Sequence, residues 1–244
     1  MNQNPVIKDL HSRKSVRVFE DRPIPPEDQE AILLAAAAAP TAGNQQLYSI
    51  LHITDEELKK RLSVTCDNQP FIAKAPFVLI FCADCQKWYD AYQSVGCEPR
   101  KPSAGDLMLA VTDCAIAAQN AVTAAWSLGI GSCYIGDIME NREIHRELLH
   151  LPDYVFPAVM AVFGYPVKQQ IDRKKPERCP LSSIVMENSY QEKDGEELKQ
   201  MLESKAGARS YEEWLTAFCN RKYNSDFSAE MGRSVAAYLK AFSL

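Results

Sequence analysis

The sequence predicts one α/β or α+β domain spanning its 244 residues, and three observations lead there. Strand-like apolar runs alternate with helical stretches, and neither a repeat nor a long linker interrupts the alternation. Hydrophobic residues make up 46% of the chain and charged residues 24%, the balance of a globular protein with a sizeable core. The formal net charge of -5 argues against a nucleic-acid partner.

The elements follow in chain order. Residues 5–12 read as a short helix. "PIPPEDQEAILLAAAAAP" predicts a helix opened by Pro25 and Pro26, acidic in its first turn and stopped by Pro40. "LYSILHIT", residues 47–54, is rich in strand formers. "DEELKKRLSVTC" is a helix whose acidic start suits the macrodipole. "APFVLIFCA" is apolar throughout, which predicts a strand buried on both faces. "QKWYDAYQSVG" is a weaker helical stretch, and a long apolar helix covers about 106–128. "GSCYIG" is a strand ending in a glycine turn. "NREIHRELLHLP" is a helix stopped by Pro152, and "VFPAVMAVFGYP" is the next strand. "VKQQIDRKKPERCP" reads as a basic loop, and three helical stretches follow from about residue 194.

Residues 107–131 are long enough to suggest a membrane span. Asp113, Gln119 and Asn120 interrupt them, so a buried helix is expected instead. The start, "MNQNPVIKDL", lacks the apolar core of a signal peptide, which points to the cytoplasm. Of the eight cysteines, Cys82 and Cys85 form a C-x-x-C at a strand end. No second pair stands at zinc-site spacing, so free thiols are expected. His145 and His150 are five apart, a poor metal spacing, and read as helix-surface or partly buried residues; no metal is expected.

Four stretches carry candidate chemistry. In "HSRKSVRVF", Arg13, Ser15 and Arg17 occupy alternate positions, so an extended backbone points them the same way. Two guanidinium groups and a hydroxyl on one face suit a phosphate; the neighbouring Lys14 adds charge but points away. "APTAGNQQLYS" places Thr41, Asn44 and Gln46 after a helix stop, with donors and acceptors of little bulk that suit a planar polar ring. "GSCYIGD" ends a strand at Gly136, where a ligand can approach backbone closely. Lys168, Arg173, Lys174, Lys175 and Arg178 form a second basic cluster. No nucleophile elbow, HExxH, P-loop or GxGxxG pattern is present, which leaves the chemistry to a cofactor.

In this order the motifs resemble the nitroreductase family of FMN-dependent oxidoreductases, in its NADPH-linked branch. The resemblance covers residues 5–190 and rests on "SRKSVRVF", "APTAGNQQ", "NQPFIAKAPFVLIFCAD", "DCAIAAQNAVTAAWSLGIGSCYIGD" and "CPLSSIVMENSY". It implies an α+β fold with a mixed central sheet flanked by helices, as an intertwined homodimer with FMN at the subunit interface. It also implies one FMN-binding domain over 1–244 with a helical extension from about 191.

The resemblance assigns Arg13, Lys14, Ser15 and Arg17 to the FMN phosphate and ribityl chain. Thr41 and Asn44 would reach the flavin held mainly by the other subunit, and Gln69 would lie near the pyrimidine side. Tyr134, Ile135, Gly136 and Asp137 would run along the ring, with the Gly136 backbone near N5. Arg178, with Lys174 or Lys175, would supply a second basic group for the phosphate. Two positions depart from the family pattern: Pro176 stands where a basic residue is usual, and Asp137 where glycine is common. Asp137 would narrow the pocket or repel anionic substrates. Arg221 and Lys222 are candidates for the NADPH 2'-phosphate.

The expected activity is ping-pong transfer from NAD(P)H to a nitroaromatic, quinone or flavin acceptor. The alternatives are a specialised flavin reductase or dehalogenase-type member, a non-catalytic FMN-binding module, and a C-x-x-C thiol-redox or metal protein.

Overall fold

The computed structural model describes residues 4–243. The chain forms two compact units: one holds the residues up to Arg173 and those from Glu230 onward, the other runs from Lys174 to Ala229.

The larger unit starts with α1 (Pro5–Ser12), capped by Asn4, whose side chain accepts from the Ile7 N–H at 2.9 Å. Then come α2 (Pro26–Ala37), β1 (Tyr48–His52), α3 (Glu56–Thr65), α4 (Pro70–Ala73), β2 (Phe77–Asp84), α5 (Gln86–Ser94) and α6 (Ala104–Ser127). β3 (Gly131–Ile135), α7 (Arg142–Leu148), β4 (Val155–Gly164) and α8 (Lys168–Asp172) follow. The smaller unit holds α9 (Leu181–Ile184), α10 (Gly195–Leu202) and α11 (Tyr211–Lys222). α12 (Asp226–Leu239) is the last α-helix among the described residues, followed by a 3-10 turn at Lys240–Phe242.

Four strands pair in the order β1-β2-β4-β3, each pair antiparallel. An isolated parallel bridge joins Ser15 to Ser132 outside these strand pairs. All eight residues of β2 are buried, as its unbroken apolar run predicts. Its side chains alternate between two cores. Phe77, Leu79 and Phe81 pack toward α2 and α6, while Val78, Ile80 and Cys82 pack toward α3, α4 and the turn at Ile138. In β4 this alternation slips between Ala158 and Met160, where a bulge opposite Phe81 and Cys82 adds a residue. Pro157 sits at that bulge, one of the few places a strand tolerates proline.

α6 is long and apolar enough to cross a membrane. Leu107, Ala110, Cys114, Ala117, Ala118, Ala121, Val122 and Ala125 are buried in the core against α2 and the sheet. Small side chains at these positions allow close backbone approach. Two sequence expectations change. The segment read as a basic loop opens with α8, closed by a Lys168–Asp172 pair at 2.8 Å. His145, expected at the surface or half-buried, is fully buried. Its Nε2 lies 2.8 Å from the Thr65 hydroxyl and its Nδ1 3.0 Å from the Ile138 carbonyl, so both ring nitrogens are satisfied within the core.

Candidate functional site

Residues 13–19 lie beside β3, the edge strand. The Val16 N–H donates to the Ser132 carbonyl at 2.8 Å, and Phe19 bridges Pro166. Val16 is 1% exposed and turns inward. This docking depends on two glycines. A Cβ on Gly131 would lie 2.6 Å from Val16 Cγ2, and one on Gly164 would lie 2.7 Å from the Phe19 ring. Both positions therefore admit no side chain unless the segment shifts.

The alternation predicted from sequence is present. Arg13, Ser15 and Arg17 share the side opposite Val16 and converge on Cys133 of β3. Burial pushes the Cys133 thiol up, while Arg17, Arg13 and the Ser15 hydroxyl pull it back. Burial also raises the Tyr134 phenol to about 12, against a lowering pull from Arg13. One guanidinium nitrogen of Arg13 is buried with no hydrogen-bond partner. Such a donor costs a few kcal/mol unless an acceptor meets it. Lys14 points to the other side, where its ammonium donates to the Ile171 and Arg173 carbonyls. It serves as an anchor there, and its charge does not join the cluster. Arg173 reaches back, donating from Nη2 to the Ser15 carbonyl at 2.6 Å.

At the other end of β3, Gln69 and Asp137 meet, with Nε2 donating to Oδ2 at 3.0 Å. The same amide donates to the Cys66 carbonyl at 2.8 Å, which fixes the Gln69 side chain. Tyr134 is half-buried and donates to Gln119 Oε1 at 3.2 Å. Tyr134, Ile135 and Gly136 line a shallow cavity of about 370 Å3 together with Ala115, Gln119 and Ala158. Next to this strand end, Glu140 is 3% exposed and one of its carboxylate oxygens has no partner. Burial, then Asp137, Asp67 and Glu230, push its carboxyl up to about 7.

The loop carrying Thr41 and Asn44 is held from α6. Asp113, 3% exposed, accepts from the Thr41 hydroxyl, from the Ala42 N–H at 3.2 Å and from the Leu47 N–H at 3.2 Å. The Thr41 oxygen in turn accepts from the Gln46 N–H at 2.7 Å. Asn44 is exposed and sits at a positive φ of 56°. Among the described residues, no hydrogen bond or ion pair joins Thr41 or Asn44 to Arg13, Ser15 or Arg17.

In the smaller unit, Arg178 and Arg221 line one cavity of about 510 Å3 with Lys205, Trp214 and Phe218. The Arg221 guanidinium lies 5.2 Å from the Phe218 ring centre. Lys222 instead lies 5.5 Å over Phe227, and Lys175 is half-buried.

Several members of the site escape sequence reasoning. Cys133, Arg173 and Asp113 were visible only as a strand residue, one cation among five, and a polar interruption of a helix. The Asp113 interruption held the usable signal, because a buried carboxylate in an alanine-rich helix needs donors from another element. Cys82 and Cys85 are buried free thiols, and burial pushes both up to about 12, far from the thiolate form that reacts. Among the described residues no cluster of metal-ligating side chains occurs.

Residues 10–165 match the model of the family described as the nitroreductase family. The chain is 31% identical over 237 residues to an FMN reductase [NAD(P)H] of Bacillus subtilis, covering 96% of this chain and 91% of that one. It is 36% identical over 191 residues to an oxygen-insensitive NADPH nitroreductase of Salmonella typhimurium, covering 78% and 77%. Among solved structures, an NADPH:FMN oxidoreductase from Vibrio harveyi complexed with NAD+ superposes with a TM-score of 0.81. It is 26% identical, over 97% of this chain and 98% of that one.

Proposed function

The chain belongs to the nitroreductase family, and on that premise we propose how its residues serve an FMN-dependent NAD(P)H oxidoreductase. The acceptors are nitroaromatics, quinones or free flavin, taken in turn with NAD(P)H at one site. The observation that carries the reading is the Arg13 nitrogen, buried and unpartnered where Arg13, Ser15 and Arg17 converge. These groups fit the FMN phosphate: two cations, a hydroxyl and an orphaned donor on the side opposite Val16, whose docking against Gly131 holds their segment in place.

Bound FMN would supply the two-electron chemistry. The protein's part is to bind and orient. Arg13, Ser15 and Arg17 hold the phosphate and ribityl chain, and Lys14 secures their strand against α8. Gln69, its two N–H groups engaged by Cys66 and Asp137, would offer its amide oxygen as an acceptor at the pyrimidine edge. Tyr134 and Ile135 form a wall for the ring, and the backbone at Gly136 provides a donor near the reacting edge. Asp137 adds negative charge to the rim and disfavours anionic acceptors. Thr41 and Asn44, unconnected to the Arg13 cluster within one chain, complete the site of a second copy, so the working unit is a homodimer. No element in this scheme requires a membrane, and the reading places the enzyme in the cytoplasm.

The test is spectroscopic. The purified protein is expected to carry a yellow chromophore that bleaches anaerobically with NADPH or NADH and recovers its colour on addition of a quinone or nitroaromatic. A chromophore that resists both nucleotides would mark the protein as a flavin-binding module without turnover.

A further inference from the structure

The turn that follows β3 brings a buried acid up to the candidate site. Glu140 caps the 3-10 turn Asp137–Met139 and donates its N–H to the Asp137 carbonyl at 3.1 Å. The residue is 3% exposed, and its carboxyl makes no hydrogen bond among the described residues. One carboxyl oxygen is shut off from solvent altogether. A carboxylate left so would lack both water and protein donors.

The charges around it are acids from three places in the chain. Asp137 stands in the same turn, Asp67 in the loop after α3, and Glu230 on α12. All three act with burial to favour the neutral acid. Cys66 and His145 lie beside it and carry no charge near neutral pH, because burial pushes the thiol up and holds the imidazole down. The cations of this region are engaged elsewhere. Arg233 pairs with Glu143 and Glu230, and Arg142 lies over the Tyr238 ring at 5.1 Å with Glu143 at 3.7 Å. Asp137 joins this acid to the site: its Oδ2 accepts from Gln69 Nε2 at 3.0 Å, and that amide also donates to the Cys66 carbonyl at 2.8 Å. A charge appearing on Glu140 therefore arises one turn away from the group that fixes Gln69, where water screens it little.

We infer that Glu140 is a positioning residue for the redox step: as a neutral acid it lets negative charge build up at the Gln69 end of the flavin ring, and as a carboxylate it opposes that charge across Asp137 and Gln69. The inference rests on the reading above, which puts the FMN pyrimidine edge at Gln69. The step balances. Hydride from NAD(P)H brings two electrons and one proton, hence one net negative charge, and the Glu140 carboxylate takes one proton from solvent to offset it. Burial first, then Asp137, Asp67 and Glu230, push the Glu140 carboxyl up to about 7, so both of its forms are populated near neutrality. The neutral form prevails below that pH and the carboxylate above it.

The test is the midpoint potential of FMN bound to the holoprotein, followed across pH in wild type, Glu140→Gln and Glu147→Gln. The last removes the same charge from an exposed position on α7. A unit or more below pH 7, wild type and Glu140→Gln should agree, since both side chains are then neutral. Above pH 7 the wild-type potential should fall below that of Glu140→Gln. The gap should reach about 30 mV, an about tenfold change in the ratio of reduced to oxidised flavin for a two-electron couple. Glu147→Gln should track wild type throughout. In the reduced-minus-oxidised infrared spectrum taken slightly above pH 7, wild type should gain a carboxylic-acid carbonyl band that Glu140→Gln lacks. Equal potentials at every pH, a gap that widens toward acid, an equal shift in Glu147→Gln, or a spectrum without that band would overturn the inference. A wild-type protein that takes up no FMN would strike the assigned function and this inference together, whereas a bound flavin indifferent to Glu140 would strike the inference alone.

Discussion

Gly131 is the residue on which the docking of residues 13–19 turns. Its missing side chain lets Val16 dock, and Val16 sets where Arg13, Ser15 and Arg17 point. Gly131→Ala is expected to weaken FMN binding about tenfold, within the 1–3 kcal/mol typical of overpacking, as read by quenching of flavin fluorescence. Adding Val16→Ala should recover part of the loss. Equal FMN affinity in Gly131→Ala and wild type would show that the docking does not set the cradle.

Glu140 gives a second test at the scale of one residue. Its folded pKa of about 7 lies above the ordinary 4.5, with burial the main cause and three neighbouring acids adding to it. A raised pKa means the stability tied to the neutral form is complete below about 4.5 and is lost as pH climbs through 7. Glu140→Gln should therefore match wild type near pH 4.5 and be more stable above pH 7, by about 3 kcal/mol at most. Denaturant midpoints across that range would measure it, and a difference that grew toward acid would refute the assignment. Little in the sequence marks Glu140, because two of its three acidic neighbours, Asp67 and Glu230, come from distant parts of the chain.

Among the elements, α6 holds the Thr41–Leu47 loop and α12 caps α7, each from a distant part of the chain. Asp113 of α6 organises the Thr41–Leu47 loop through two backbone N–H groups and a hydroxyl. Asp113→Ala would leave those donors without an acceptor and is expected to cost about 3 kcal/mol, with slower turnover at unchanged FMN content of the Arg13 cradle. On α12, buried Ser234 accepts from the Arg142 N–H at 2.9 Å and donates to Glu230 at 2.8 Å, which caps the start of α7. Ser234→Ala is expected to lower unfolding free energy by about 1–3 kcal/mol. Thermal unfolding of each variant would check both values; wild-type midpoints would contradict the proposed roles.

The regular elements were legible where the local code was complete. Pro26 at the start of α2, the unbroken apolar run of β2 and the small-residue face of α6 each announced their environment. α8 was hidden because its five residues hold charges that read equally well as loop, and α4 because one turn carries no period. The bulge in β4 also left no mark beyond Pro157.

For the whole molecule, the family could be read from motifs in order, and the fold agrees with its solved members. The alternation of Arg13, Ser15 and Arg17 was visible because a strand has period two. That Lys14 would be engaged by carbonyls of residues 171 and 173 was not visible, since it depends on where a distant helix ends. Thr41 and Asn44 mark the limit in the other direction: their place in one chain is clear, held by Asp113 and the loop around them.

The most direct measurement is FMN titration of the flavin-free protein beside its Arg17→Ala variant, followed by flavin fluorescence and by absorbance of the bound chromophore. Wild type should saturate at one flavin per chain and Arg17→Ala should bind at least tenfold more weakly, as loss of a charge-assisted contact worth about 1.5–3 kcal/mol requires. Equal affinity in the two proteins, or a wild-type chain that takes up no flavin, would contradict the account.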